Sequence, residues 1–265
     1  MEYQILNNKI KINLNKNIGK VIYVVEGEDV ELNLLSHIFK NVLKYKEVIK
    51  ISRRDQKVLV PESLLNYNSK IVIMNSKSSH VGTIEKTKYI NAKIQEIQKE
   101  DEYFNVEDCP IYYIYDCDRP EDKEIIQEFI GKYTNSREAS EKSDYSAFGG
   151  MLLLSYPSIE SFIISNFETN ISELSSKENF ETTKDVKRYI KNNNYDYNKI
   201  TENSLINAFN EMVTSLEKIH IHRVNLDNIE EFNQNIFNYE VLNKYKYLLS
   251  LLLISFIDLG IIEIE

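Results

Sequence analysis

The stretch VIYVVEGEDVELNLLSHIF, residues 21–39, decides the fold because it passes directly from a buried strand into a helix. Its first five residues are apolar or aromatic and do not alternate with polar residues, which is typical of a strand covered on both faces of a parallel sheet. EGED at 26–29 follows, and apolar residues then recur at helical spacing from Val30. The stretch therefore predicts a β-α unit whose turn carries three carboxylates.

Three further segments share the continuous apolar character of this first strand. The four predicted strands are KVIYVVEG (20–27), KIVIMNSK (70–77), IYYIYDCD (111–118) and MLLLSYPS (151–158). EVIKISR (47–53) is a weaker candidate. Helical patterns lie between the strands, at 30–45, 82–99 and 121–133. This alternation predicts a doubly wound α/β domain whose sheet is mostly parallel and flanked by helices.

The sequence after residue 168 has no comparable strands. Its helical patterns are DVKRYIKNN (185–193), SLINAFNEMVTSLEKI (204–219) and EVLNKYKYLLSLLLISFI (240–257). We therefore predict an α/β domain over 1–168 and a mainly helical C-terminal region over 169–265. The apolar run at 247–262 is short for a membrane span, which needs about 20 apolar residues. Asp258 also interrupts it, so we expect a buried helix and no membrane contact.

The charge balance limits the partners to be expected. Lys and Arg total 32 against 41 Asp and Glu, a net charge of −9, so the chain as a whole does not attract nucleic acid. A role on DNA or RNA therefore requires a local basic surface, metal ions or a partner protein. Cys109 and Cys117 form no disulfide framework, and the N-terminus has no apolar signal segment, so we expect a cytoplasmic protein.

Carboxylates follow three of the four predicted strands. Glu26 ends the first strand, Asp116 and Asp118 end the third, and Glu160 lies on the helix after the fourth. Ligands of doubly wound sheets bind at the carboxyl ends of the strands, so we expect these acids to converge. Converging carboxylates repel one another unless some are protonated or a cation lies among them. Glu28, close to Glu26, is a fifth acid of this set. The hard oxygen atoms of these acids predict a Mg²⁺ or Mn²⁺ site in which Asp116 and Asp118 hold the ion.

The same acids also have a structural interpretation. Acidic residues after a strand often cap the next helix, whose N-terminal dipole favours negative charge. Capping suits Glu28 and Asp29 best and competes evenly with the ligand role for Glu160. It suits Glu26 and the Asp116/Asp118 pair least, because capping does not require acids from separate strands to lie together.

The order of these motifs resembles the Toprim superfamily of topoisomerases, primases, OLD-family nucleases and RloB-like phage-defence proteins. In that superfamily one strand ends in Glu-Gly and a later strand ends in Asp-x-Asp, as VVEG (24–27) and YDCD (115–118) do here. YPSIE (156–160) is similar to the Asn-Pro-x-x-Glu element of RloB-like proteins, with tyrosine in place of the asparagine. Pro120 stands where many members have a nearby glycine. The resemblance covers roughly residues 20–168.

The resemblance implies a Mg²⁺-dependent endonuclease that hydrolyses phosphodiester bonds in DNA or RNA. Glu26 matches the family's general base or metal ligand, Asp116 and Asp118 match its magnesium ligands, and Glu160 would be a further acidic ligand. The resemblance also implies an effector of anti-phage defence. Because this sequence has no P-loop, such an effector would work with an ABC-type ATPase from another chain.

Three further residues are predicted to contact the substrate. Arg119 follows the Asp-x-Asp motif and would contact the scissile phosphate, with a surface salt bridge as the alternative. Lys77 and His80 lie on a polar loop after the second strand, at the same sheet edge as the acids, with a solvated loop as the alternative.

A second hypothesis concerns the whole chain. It is a Toprim-like module that binds nucleic acid or a protein without catalysis, and the acidic balance favours it. The apolar C-terminal region suits either a homodimer or a docked partner, and its pattern does not select between them.

Overall fold

A computed structural model of the chain describes residues 2–4, 9–27, 30–47, 56–62, 68–76, 92, 95–99, 109–117, 123–132, 150–178, 180, 182–242 and 247–265. The strands of these residues are β1 (Glu2–Gln4), β2 (Ile10–Ile12), β3 (Lys20–Val25), β4 (Tyr45–Glu47), β5 (Gln56–Pro61), β6 (Lys70–Asn75), β7 (Ile111–Asp116), β8 (Met151–Tyr156), β9 (Arg223–Asn225), β10 (Leu249–Ser250) and β11 (Ile262–Ile264).

Helices lie between and after these strands. They are α1 (Val30–His37), α2 (Lys123–Lys132), α3 (Glu160–Phe167), α4 (Ile171–Glu178), α5 (Thr183–Asn192), α6 (Glu202–Lys218), α7 (Ile229–Leu242) and α8 (Leu252–Asp258). Helix α1 continues as a π-helical turn over Ile38–Val42, and residues 95–99 are also helical. Single 3₁₀ turns occupy Tyr197–Lys199 and Leu226–Asn228.

Seven strands form one sheet in the order β10-β8-β7-β3-β6-β5-β4. The central strands β8, β7, β3 and β6 run parallel to one another, and nearly all their residues are buried, as their continuous apolar sequences predict. Strands β5, β4 and β10 extend the sheet antiparallel at its two sides. Two small antiparallel pairs, β1–β9 and β2–β11, lie outside it.

The α/β architecture with a parallel centre is confirmed. Each of the four predicted strands begins where the pattern predicts and ends two residues earlier. Strand β5, which the sequence pattern does not indicate, joins the sheet next to β6. Most of the weaker strand prediction, at 48–53, lies outside the described residues, as do 82–91 and the predicted loop at 134–148.

The prediction of one helix over 240–257 is wrong. Helix α7 ends at Leu242, the short strand β10 pairs antiparallel with β8, and α8 begins at Leu252. Periodicity fails here because a continuous apolar run looks the same in a buried strand and in a buried helix. The run is buried, as expected. Over the described part of the chain, no helix has the length and apolar character needed to cross a membrane.

One hydrophobic core joins the sheet to the C-terminal helices. Tyr23 of β3 stacks on Tyr112 of β7, with 5.1 Å between ring centroids. The same Tyr23 hydroxyl donates a hydrogen bond to Ser255 Oγ on α8 at 3.1 Å. Elements after residue 168 therefore pack on the sheet and add β10 to it. The division of the chain at residue 168 stays a prediction.

Strand β3 lies at a topological switch point of the sheet. From β3 the chain passes to β4, β5 and β6 on one side, and then to β7 and β8 on the other. In open α/β sheets, such a reversal leaves a crevice outside the carboxyl ends of the strands, where ligands bind. The carboxyl ends of β3 and β7 border this crevice.

Candidate active site

Glu26 and Asp116 meet at the switch point. Glu26 directly follows β3, and Asp116 is the last residue of β7. The Glu26 carboxylate accepts a hydrogen bond from the backbone N–H of Asp116, with 3.2 Å between Oε2 and N. Because the bond joins the ends of two neighbouring parallel strands, it holds side by side two acids that are 90 residues apart in the sequence.

The turn from β8 into α3 adds a third acid. The backbone N–H of Ile159 donates to Asp116 Oδ1 at 2.8 Å, and the next residue, Glu160, begins α3. The Glu160 side chain is 5% exposed, and its Oε2 has no hydrogen-bond partner among the described residues. A buried carboxylate oxygen without a partner is costly, so this atom is a candidate ligand. No side-chain hydrogen bond caps α3, which argues against the capping role for Glu160.

A fourth acid, Glu31, joins the site although the sequence pattern does not single it out. It lies in the first turn of α1. A Cβ atom placed on Gly27 would lie 2.3 Å from Glu31 Oε2, so the glycine leaves the space that this carboxylate fills. The direction in which Glu31 points depends on how α1 leaves β3, and the spacing of residues in the sequence does not specify that geometry.

The four carboxylates act on one another electrostatically. Burial raises the pKa of Asp116 well above its usual range, and the negative charges of Glu31, Glu26 and Glu160 raise this pKa further. The hydrogen bond from the Ile159 N–H opposes the shift. The cluster therefore holds more negative charge than its surroundings favour. A cation bound there would relieve the repulsion.

Lys187 brings positive charge to this acid cluster. Its Nζ lies 3.3 Å from Glu160 Oε1, and its side chain is 57% exposed. Burial alone would lower the pKa of Lys187, but the negative charges of Glu160, Asp116 and Glu31 outweigh burial and raise it. Lys187 lies on α5, so the region after residue 168 contributes a residue to the site. No motif in the sequence signals this contribution.

The chemistry of these side chains fits the predicted metal. Among the residues that the structure describes, no three His, Cys, Asp or Glu side chains are grouped closely enough to hold a metal ion. All four acids nevertheless offer the oxygen atoms that Mg²⁺ and Mn²⁺ prefer, and Glu160 Oε2 is buried with no hydrogen-bond partner in the described part of the chain. Asp116 and Glu160 are therefore the side chains that would hold the ion, and Glu26 lies beside Asp116.

Several predicted site residues lie outside the described residues. They are Lys77, His80, Asp118 and Arg119, and their roles stay predictions. Glu28 and Asp29, the expected helix-capping acids, also lie outside. Cys117, between the two Asp positions, is fully buried, and burial together with the charge of Asp116 raises the pKa of its thiol.

No protein-family model matches the chain, and no curated protein or solved structure shows significant similarity to it. The Toprim resemblance therefore depends on the order of the motifs in the sequence.

Proposed function

We propose that the protein is a metal-dependent nuclease of the Toprim type, which hydrolyses phosphodiester bonds in DNA or RNA. The observation that carries this proposal is the hydrogen bond between Glu26 and the Asp116 N–H at the switch point. It concentrates acids where α/β sheets bind ligands, next to the buried Glu160. Acids whose mutual repulsion raises a pKa are typical of functional sites, and helix capping does not require such an arrangement.

Three of the four acids have their own role in the proposed reaction, and Glu31 adds negative charge beside Asp116. A bound Mg²⁺ or Mn²⁺ would polarise the phosphoryl oxygen and stabilise the leaving oxygen. Asp116 and Glu160 would hold the ion. Glu26, oriented by the Asp116 N–H, would position or deprotonate the attacking water. Lys187 would neutralise Glu160 before the metal binds, and its exposed position lets it move away afterwards.

A partner protein completes the proposal. An ABC-type ATPase and a role in anti-phage defence are supported by the family resemblance alone. The net charge of −9 adds a physical reason for such a partner, since a second protein would supply basic surface for nucleic acid. A homodimer also remains part of the proposal, but most of the apolar residues at 247–262 are buried in the chain's own core and would not form its interface.

The second proposal, a module that binds nucleic acid or protein without catalysis, also has support. Among the described residues no three acids are grouped closely enough to hold a metal, and Lys187 already neutralises one carboxylate. A site that has lost its chemistry would keep such an internal ion pair.

A cleavage assay distinguishes the two proposals. Purified protein is incubated with plasmid, single-stranded DNA and tRNA, with and without Mg²⁺ or Mn²⁺. The nuclease proposal predicts metal-dependent cleavage that falls about 10²–10⁴-fold in Asp116→Asn. Glu217→Gln, which changes an exposed acid on α6, is the matched control and should cleave like wild type.

Two outcomes would contradict the nuclease proposal or its site. If Asp116→Asn cleaves as well as wild type, the site is assigned wrongly. If wild type binds nucleic acid or a partner but cleaves no substrate with either metal, the binding module is the better proposal.

A further inference from the structure

A polar pocket beside α1 contains residues to which the proposed reaction gives no role. Its volume is about 180 Å³, and the side chains that matter for its chemistry are Asn33, Lys40, Lys57 and Asn198. Two ammonium groups and the Asn33 amide can donate hydrogen bonds in this small cavity, whereas Asn198 Nδ2 already donates to Asp196 Oδ1 at 2.8 Å. The two positive charges favour an anion. The pocket is thus a local basic site on an acidic chain.

Lys57 is held in position at this pocket. Its Nζ donates to Asn33 Oδ1 at 2.8 Å, so its partner is a neutral amide, whereas Lys40 pairs with Glu47 at 3.3 Å. Burial lowers the pKa of Lys57; Glu47 opposes this change and Lys40 adds to it. Burial removes part of the hydration of this ammonium group, and a bound anion would compensate by stabilising its positive charge.

The register of the strands places the pocket and the acid cluster on one face of the sheet. Lys57 pairs with Ile73 of β6, Ile73 with Tyr23 of β3, and Tyr23 with Tyr112 of β7. Paired residues point to the same face, and so do residues an even number of positions apart in one strand. Asp116, four residues after Tyr112, therefore shares the face of Lys57.

Asn75 lies on this face between the two sites. It is the last residue of β6, pairs with Val25 of β3, and lies two residues beyond Ile73. Its side chain is fully buried, and neither amide atom has a hydrogen-bond partner among the described residues. Unpaired buried amides are rare and need an explanation. This one is a single buried polar group between the two sites, on a face that Ile73, Tyr23 and Val25 otherwise make apolar.

We propose that this pocket binds phosphate, and in particular a backbone phosphate of the strand whose scissile bond lies at the acid cluster. The preference for phosphate follows from the pocket itself, and the assignment to a nucleic-acid strand rests on the proposed nuclease function. The Cα atoms of Glu26 and Lys57 are about 14 Å apart, from two strand spacings across the sheet and three residues along it. Along the axis of a duplex, where one strand has a phosphate about every 3.4 Å, this distance corresponds to roughly four nucleotides.

Salt-dependent binding tests the proposal. The Kd of a single-stranded oligonucleotide is measured by fluorescence anisotropy over a salt series, in EDTA so that no cleavage occurs. Lys57→Met removes the charge and keeps the apolar stem. It should raise Kd about tenfold and reduce the slope of log Kd against log salt by about 0.7. Lys46→Met, an exposed lysine on the neighbouring strand β4, is the matched control and should change neither value.

A second variant separates the charge of Lys57 from its position. Asn33→Ala removes the amide that holds Lys57 but keeps the lysine, so Kd should rise while the salt slope stays near the wild-type value. Inorganic phosphate, titrated as a competitor, should displace the oligonucleotide from wild type more effectively than from Lys57→Met. Thermal unfolding of each variant confirms that it is folded, and Lys57→Arg should restore the slope.

The outcomes distinguish the pocket from the nuclease. An unchanged Kd and slope in Lys57→Met would overturn the phosphate site. If phosphate binding depends on Lys57 but oligonucleotide binding does not, the pocket takes free phosphate and its assignment to the strand is wrong. The binding assay is independent of the cleavage assay. If the protein cleaves no nucleic acid but its salt slope depends on Lys57, the nuclease proposal is wrong and the phosphate site is still supported.

Discussion

Replacing Lys187 with methionine removes a positive charge from the acid cluster and keeps most of the apolar stem. The 3.3 Å between Lys187 Nζ and Glu160 Oε1 corresponds to an attraction of about 5 kcal/mol at an effective dielectric constant of 20, and about 1.3 kcal/mol in water. Because the lysine side chain is 57% exposed, solvent screening favours the lower value. Glu160, however, is buried, and the substitution would leave its charge without compensation beside other carboxylates.

We therefore expect the metal-free Lys187→Met protein to lose about 1–3 kcal/mol of unfolding free energy, a fall in Tm of about 2–9 °C. Mg²⁺ should reverse this loss, because the ion supplies the missing charge to the same carboxylates. An ion present at 100 times its Kd adds about 2.7 kcal/mol. Thermal unfolding followed by circular dichroism, first in EDTA and then across a Mg²⁺ titration, measures both effects.

The matched control is Lys184→Met, an exposed lysine on the same helix, which should change stability by less than about 0.5 kcal/mol. Two results would refute the reasoning. In one, the two variants lose equal stability in EDTA, so Lys187 does not neutralise a buried acid. In the other, Mg²⁺ raises the Tm of Lys187→Met no more than that of wild type, so lysine and metal do not share carboxylates.

Three other substitutions test different parts of the molecule. The raised pKa of Asp116 means that the folded protein binds this proton more tightly than the unfolded chain, so stability falls as pH rises through the folded-state pKa. Asp116→Asn should therefore be about 0.5–2 kcal/mol more stable than wild type at pH 7, and urea unfolding should show no difference below the unfolded-state pKa of about 4. Gly27→Ala places a Cβ 2.3 Å from Glu31 Oε2 and should displace this flexible side chain. Cleavage should therefore fall about 10- to 100-fold with little change in Tm. Full activity would exclude Glu31 from the site. Glu211→Ala removes the carboxylate that accepts hydrogen bonds from two backbone N–H groups at the start of α4, at 2.9 Å each. Urea unfolding should show that the unfolding free energy falls by about 1–3 kcal/mol. An unchanged unfolding free energy would mean that water replaces the carboxylate.

The central strands were predictable because burial on both faces leaves a direct mark on the sequence. KVIYVV at Lys20–Val25 has five consecutive apolar residues, all buried in the sheet. Strand β5, QKVLVP at Gln56–Pro61, has a polar start and a proline end, and its place in the sheet depends on pairing with β6. The prediction of one helix over 240–257 was wrong for the opposite reason. It is apolar throughout, so its periodicity contains no information about where a strand gives way to a helix.

The candidate site was predictable to the extent that strand direction determines it. Parallel strands bring their carboxyl ends to one edge, so Glu26 and Asp116 were expected at the same edge once β3 and β7 were recognised. Their direct contact depends on the strand order, which places β7 next to β3. The positions of Glu31 and Lys187 at the site depend instead on how their helices pack against the rest of the protein. Lys187 reaches Glu160 because α5 packs against α3, a tertiary contact without a local sequence signal.

A comparison of two buried acids supports the proposed function of the cluster at the sheet edge. The Glu211 carboxylate uses both oxygens on backbone N–H groups, so its burial is fully compensated. Glu160 is buried as deeply, yet only one of its oxygens has a partner among the described residues, and that partner is a lysine more than half exposed to solvent. A structural carboxylate gains stability from donors that stay in place, as at Glu211. A carboxylate that must exchange one cation for another gains from a partner that can leave, and Lys187 can leave without exposing the core.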